Sequence, residues 1–205
     1  SEVIERLSEV ARERNLYVEW STNEKVALEV AAAASFSGLR SMCVMKQNGV
    51  NVASDFLLHL ASSGTRGGIV LVECEDPGAL SSVNEGESRY FARMLEVPLL
   101  EPASFQEAKD MTEHAFRLSE EFGQMFILRS VTRISHARGD VKLGPITKDK
   151  PKGEFKPDTR ERFICMPAYS KKNRFVMIER LNKIKEAVEN LPYNNAEKVD
   201  GAKFG

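Results

Sequence analysis

The run Ile69-Val70-Leu71-Val72, led in by Gly67 and Gly68, constrains the fold of this chain more than any other stretch. Four consecutive β-branched or leucine residues leave no polar face, so a strand built from them needs cover on both sides. Residues 42–45, 97–100 and 125–128 are further short apolar segments of strand character. Helical patterns lie between them. Residues 23–36 are rich in alanine and stop at Gly38, and residues 52–61 present Phe56, Leu57 and Leu60 as an inner face. Residues 88–95 form a short helix, and residues 104–122 a longer one opened by Ser104 with Glu107 three residues on, a capping-box pattern. At the start, residues 1–14 place Val3, Ile4, Leu7, Val10 and Ala11 on one helical face, and residues 16–20 are short and β-prone. This alternation predicts a three-layer α/β fold: a mostly parallel sheet, right-handed crossovers and helices on both faces. Ligands of such sheets sit at the carboxyl ends of the strands. The loops to watch are therefore residues 21–24, 46–51, 74–87 and 130–136.

Composition shifts near Lys142. Residues 148–157 carry lysines, prolines and a glycine and read as a linker or exposed arm, and residues 163–166 as a short extended piece. Residues 170–191 form a helix with Phe175, Ile178, Leu181, Ile184 and Val188 along one stripe, and residues 194–205 a polar connection. The division that follows is an α/β domain over 1–140, an arm over 141–169 and a C-terminal helix with its connection over 170–205. A formal net charge of -1 on 205 residues gives no reason to expect nucleic acid or an anionic membrane as main partner. No segment reaches the apolar length of a membrane span. The three cysteines, Cys43, Cys74 and Cys165, are far apart and odd in number, which argues for a reducing compartment, the cytoplasm by default. They also exclude an iron–sulfur cluster held by this segment alone, since such clusters need about four thiolates.

The string Glu19-Trp20-Ser21-Thr22-Asn23-Glu24-Lys25-Val26-Ala27-Leu28-Glu29 places a carboxylate in the first turn of a helix, directly after a β-prone segment. Two readings stand side by side. Ser21 with Glu24 makes a capping box worth about 1 kcal/mol and no chemistry; alternatively Glu24 is an acid–base group at a strand tip. The loop Lys46-Gln47-Asn48-Gly49-Val50-Asn51 either brings backbone groups against a ligand or is an ordinary glycine turn. The polar stretch around Ser81, Ser82, Asn84, Glu85 and Arg89 is either a contact surface or a solvated loop. His136 is a proton shuttle or a loop histidine with an ordinary hydrogen bond. No metal-ligand spacing links His59, His114 and His136.

Beyond these readings, the chain resembles a family. Glu19 to Glu29, Met45-Lys46 with Gly49 and Asn51, Gly67-Gly68, Asp76-Pro77, Ser81-Ser82, Asn84-Glu85, Arg89 and Tyr90-Phe91-Ala92-Arg93 are similar to the alpha subunits of indolepyruvate-type 2-oxoacid:ferredoxin oxidoreductases. So are Leu100-Glu101-Pro102, Gln106-Glu107-Ala108-Lys109-Asp110, Thr132-Arg133 and Ser135-His136, in unbroken order over residues 1–140. The resemblance implies the pyrimidine-binding domain of a thiamine-diphosphate enzyme that decarboxylates an aryl 2-oxoacid to an acyl-coenzyme A and passes electrons to ferredoxin. It further implies that diphosphate and Mg2+ are held by another domain of the same protein or of a second copy. A beta subunit is expected, and iron–sulfur clusters in segments not present here.

Glu24 matches the family's catalytic glutamate, which shares a proton with the pyrimidine ring nitrogen and so favours the tautomer that activates the cofactor. Asn48, Gly49 and Asn51 are then cofactor-side residues, and Ser81, Ser82, Asn84, Arg89 and His136 substrate or interface residues. The chain departs from the family pattern at Glu85-Gly86-Glu87, where members carry Glu-Gln-Asp. The family's first strand with its Gly-Tyr-Pro-Gly-Thr-Pro turn, its Gly-Asp-Gly motif and its cysteine-rich segment do not occur, so this segment alone is expected to be catalytically silent. Pyruvate, another 2-oxoacid or an arylglyoxylate is the alternative substrate, and a non-catalytic α/β assembly module the alternative class.

Overall fold

A computed structural model describes residues 2–80, 82–146, 151–156, 161–194 and 198–202. Its sheet has four strands, β1 (Ser41–Lys46), β2 (Ile69–Glu75), β3 (Leu99–Leu100) and β4 (Phe126–Val131), in the order β1-β2-β4-β3. All three pairings are parallel, with Met45 opposite Glu73 and Glu73 opposite Arg129. The apolar run Ile69–Val72 lies in β2, an interior strand. Its Leu71 faces α2 (Glu24–Phe36), α3 (Gln47–Ser63) and α4 (Arg89–Leu95), packing with Leu28, Leu57, Leu60 and Leu95. Its Val70 and Val72 face α5 (Phe105–Phe122), packing with Met111, Ala115 and Leu118. Both faces are covered, as a strand without a polar side requires. The expected three-layer α/β architecture is what the chain adopts.

Ser104 caps α5 as the sequence predicts: its hydroxyl accepts from the Glu107 N–H at 3.2 Å, and Glu107 Oε2 accepts from the Ala103 N–H at 2.8 Å. Other expectations need correction. Residues 16–20 form no strand; Tyr17 and Trp20 are exposed, because β-prone residues pair only where a neighbouring strand offers its edge. Residues 46–51 are not a loop. α3 starts at Gln47, directly after Lys46, so Asn48, Gly49 and Asn51 lie in its first turns. Residues 130–136 likewise continue β4 to Val131 and then coil into the single turn α6 (Thr132–Ser135). The first helix, α1 (Glu2–Arg14), has no fully buried residue.

α7 (Pro167–Glu189) keeps Leu181, Ile184 and Val188 of its predicted stripe packed inward but is turned at the other two positions. Met177, Arg180 and Ile184 point inward, while Phe175 and Ile178 are exposed. What turns it is a polar demand. Gly64 and Gly123 end α3 and α5, and the last carbonyls of those helices lack intrahelical partners. Arg180 Nη2 donates to Ala61 O at 3.1 Å and Ser62 O at 3.3 Å; Arg162 Nε donates to Ser63 O and its Nη2 to Gly123 O, both at 2.9 Å. Burial, and secondarily the neighbouring Arg162, push the Arg180 guanidinium down to about 10. Replacing Arg180 by methionine keeps the apolar contact and removes charged donors from buried carbonyls. Destabilisation of about 3 kcal/mol is expected, read as a melting temperature lower by roughly 6–12 °C in circular dichroism.

Candidate functional site

The site is built where α2 and α3 begin, at the carboxyl end of β1. Asn23, not Ser21, is the N-cap of α2: it is extended at φ -157° and ψ 173°, and its Oδ1 accepts from the Val26 N–H at 2.9 Å. Ser21 donates instead to Glu19 Oε1 at 3.0 Å. Glu24 is therefore the first residue of the helix and takes no part in a capping box. Its side chain is half-buried and lies across Gly49. A Cβ built on Gly49 would stand 2.5 Å from Glu24 Cγ and 3.0 Å from Met45 Cβ. Gly49 is needed here for space rather than for an unusual backbone angle. The Cys43 thiol below is pushed up to about 12, mainly by burial, with the Glu24 charge adding in the same direction. The carboxyl thus sits at the edge of an apolar floor made by Cys43 and Met45.

Of the other predicted residues, Asn48 is half-buried and Asn51 exposed in the first turns of α3. Ser82 and Asn84 are drawn to the start of the same helix by Gln47, which sequence reasoning passed over. The buried Gln47 amide donates to Ser82 Oγ at 3.3 Å and Asn84 O at 3.2 Å. Gly86 makes that approach possible, since a Cβ there would be 2.8 Å from Gln47 Cγ. The departure at Glu85-Gly86-Glu87 thereby gains a steric reason. Ser81 lies outside the described residues. Arg89 is committed to carboxylates of its own chain, with Nε and Nη2 on Glu101 at 2.8 and 2.7 Å and Nη1 on Glu87 at 2.8 Å. His136 is exposed after α6, with Nδ1 3.9 Å from Glu2 Oε1, beyond a strand that stands two places from β1.

A second group of charges at the tips of β2 and β4 was not singled out from the sequence. Glu73, Glu75 and Arg129 are all buried, as are Asp76 and Ser88. Arg129 bonds to Glu75 and Glu101, and Asp76 accepts from Lys46 Nζ at 3.1 Å and from the Thr132 hydroxyl. The available signal was period two: Glu73 and Glu75 follow an apolar run on a single face, which is costly unless partners meet them. Among the described residues no group of three or more His, Cys, Asp or Glu side chains is arranged to hold a metal ion. No helix among them is long and apolar enough to cross a membrane.

The family model described as pyruvate flavodoxin/ferredoxin oxidoreductase, thiamine diphosphate-binding, matches residues 1–193. The chain belongs to this family. Similar members include the indolepyruvate oxidoreductase subunit IorA of Thermococcus kodakarensis, 44% identical over 100% of this chain and 32% of that protein. The IorA subunit of Pyrococcus abyssi is 42% identical over the same shares. That of Archaeoglobus fulgidus is 43% identical over 98% of this chain and 33% of its own length. The chain spans about a third of the length of these curated relatives. A 2-oxoglutarate:ferredoxin oxidoreductase from Magnetococcus marinus, solved with 2-oxoglutarate, coenzyme A and succinyl-CoA, superposes with a TM-score of 0.69 at 13% identity. It covers 98% of this chain with 42% of that one and shares the fold of this family member.

Proposed function

We propose that this family member is the pyrimidine-binding part of a thiamine-diphosphate-dependent oxidoreductase that oxidatively decarboxylates an aryl 2-oxoacid resembling indolepyruvate to an acyl-coenzyme A, with electrons passed to ferredoxin. The observation that carries the reading is the Glu24 carboxyl seated over Gly49 at the tip of β1, in a chain of this family. The names of its IorA relatives support the aryl substrate. Residues 1–140 supply the pyrimidine-side surface. The diphosphate and its Mg2+ belong to another domain, iron–sulfur clusters to further segments or a beta subunit, and the assembly to the cytoplasm.

The residues present fit the pyrimidine. When bound, thiamine diphosphate supplies a ring carbon that becomes a nucleophile on losing its proton. Glu24 holds a proton at its carboxyl and offers it to a ring nitrogen. The bare backbone at Gly49 leaves room for the Glu24 side chain, and Met45 and Cys43 make the floor apolar. The complete subunit, assembled with its beta subunit and supplied with cofactor, Mg2+ and coenzyme A, is expected to reduce ferredoxin. Its kcat/KM for indolepyruvate should exceed those for pyruvate and 2-oxoglutarate about tenfold or more. Absence of ferredoxin reduction with every 2-oxoacid offered would refute the reading, and a preference for pyruvate would correct the substrate alone.

A further inference from the structure

Glu73 and Glu75 stand two residues apart on β2, hence on one face of the sheet, with 0% and 2% of their surface exposed. Both reach the same hydroxyl: Ser88 Oγ is 2.7 Å from Glu73 Oε2 and 2.9 Å from Glu75 Oε2. A serine hydroxyl has one proton to donate. If it donates to one carboxylate, the other contact sets lone pair against lone pair unless that carboxyl brings a proton of its own. Glu75 is already supplied with donors, the Ser88 N–H on Oε1 at 2.9 Å and Arg129 Nε on Oε2. Among the described residues Glu73 has no other donor, and its buried Oε1 has no partner. The missing proton belongs on Glu73. The chain of donors then runs from the Glu73 O–H to Ser88 Oγ and from the Ser88 O–H to Glu75. Arg129 closes it by donating to Glu75 and Glu101.

The surrounding charges agree. Around Glu73 stand Glu75 on its own strand, Arg129 on β4, Glu87 and Arg89 at the start of α4, and Glu101 beyond β3. Among the described residues Arg129 is the one buried cation facing two buried carboxyl groups, and it is shared with a third, Glu101. From β1 and α3 the side chains on this face are the uncharged Met45, Val50 and Ala53.

We propose that Glu73 carries a proton in the docked state, and that the Glu73–Ser88–Glu75 chain is a proton-dependent latch holding the first turn of α4 and residues 82–87 on the tip of β2. Burial, with the Glu75 charge adding to it, keeps the Glu73 carboxyl up at about 7, against the opposing hydrogen bond from Ser88 and the charge of Arg129. The latch reaches the candidate site through the chain itself. Ser88 anchors the segment whose Ser82 and Asn84 hold Gln47, and Gln47 is two residues from the glycine under Glu24. Glu73 is thus a positioning residue, and its role holds whichever substrate the enzyme takes.

The sign follows from linkage. A carboxyl whose folded pKa is raised stabilises the docked state fully below the ordinary carboxylate range, and that stabilisation is lost as pH rises through about 7. Hydrogen–deuterium exchange of peptides covering residues 82–95 in the complete subunit reads this directly. After correction for intrinsic exchange, opening should increase about tenfold per pH unit between pH 5 and 7 and level off above. Glu73→Gln, which keeps a neutral donor at the position, should abolish that dependence while leaving exchange at pH 5 nearly unchanged. Equal slopes in parent and variant would overturn the latch. Should the variant fold poorly, the parent alone decides: no rise in opening from pH 5 to 7, or no infrared carboxylic-acid C=O band at pH 6, is the contrary result.

Discussion

In the complete enzyme, Glu24→Gln is expected to lower turnover by about 10²–10⁴-fold, the range for losing a positioned acid–base group. The substitution keeps shape, volume and one hydrogen-bond donor. It removes the ability to give up and recover a proton, so a purely structural role for Glu24 predicts no such loss. The side chain is half-buried and carries no cap or ion pair among the described contacts, and the N-cap of α2 belongs to Asn23. Stability should therefore stay within about 0.5 kcal/mol of the parent, a shift of roughly 2 °C in melting temperature. Steady-state ferredoxin reduction beside a thermal scan makes the comparison. Turnover at the parental rate in a folded variant would remove Glu24 from the chemistry.

Gly49→Ala attacks the same group from beneath. The new methyl would fall 2.5 Å from Glu24 Cγ, closer than carbon atoms approach, and in a tight contact of 3.0 Å with Met45 Cβ. The backbone of Gly49 is helical and tolerates alanine, so the fold survives and the flexible glutamate side chain is what moves. Displacement of a catalytic group by about 1 Å costs on the order of 10²-fold in rate. The expected signature is a loss of kcat approaching that range, with an unfolding midpoint near or slightly above that of the parent, since alanine favours helix over glycine. A large fall in stability with the per-molecule rate of folded enzyme intact would mean that Gly49 serves packing only.

The strands and their cover were legible because they rest on apolar runs whose burial is obligatory: β2 has one solution, and the helices flanking it follow. Ser104 was legible as a cap because Glu107 completes a local motif. The failures share a different cause. Residues 16–20 have the propensity of a strand but no neighbour among the described residues, and propensity alone makes no ladder. Ser21 and Asn23 are equally good caps by type, and what separates them is that Asn23 accepts the Val26 N–H while Ser21 turns to Glu19. Gly49 and its asparagine neighbours read as a loop because glycine interrupts helical patterns. Here the glycine stays inside α3, since the room it leaves is occupied by the side chain of Glu24, distant in sequence but adjacent in space. Glu73, Glu75 and Arg129 escaped because charged residues ending an apolar strand ordinarily mark its exit to solvent. Their burial depends on Ser88 and Glu101, which meet them only once the sheet has formed.

The two arginines at the ends of α3 and α5 change where this polypeptide can be cut. A boundary drawn after residue 140 follows the change in composition, yet it would strip the last turns of both helices of their only cationic caps among the described contacts and lift Met177 and Ile184 out of the two packed clusters. α7 is thus not a tail trailing from a finished body. It is the keel of that body, and a designer seeking the smallest autonomous unit must retain it.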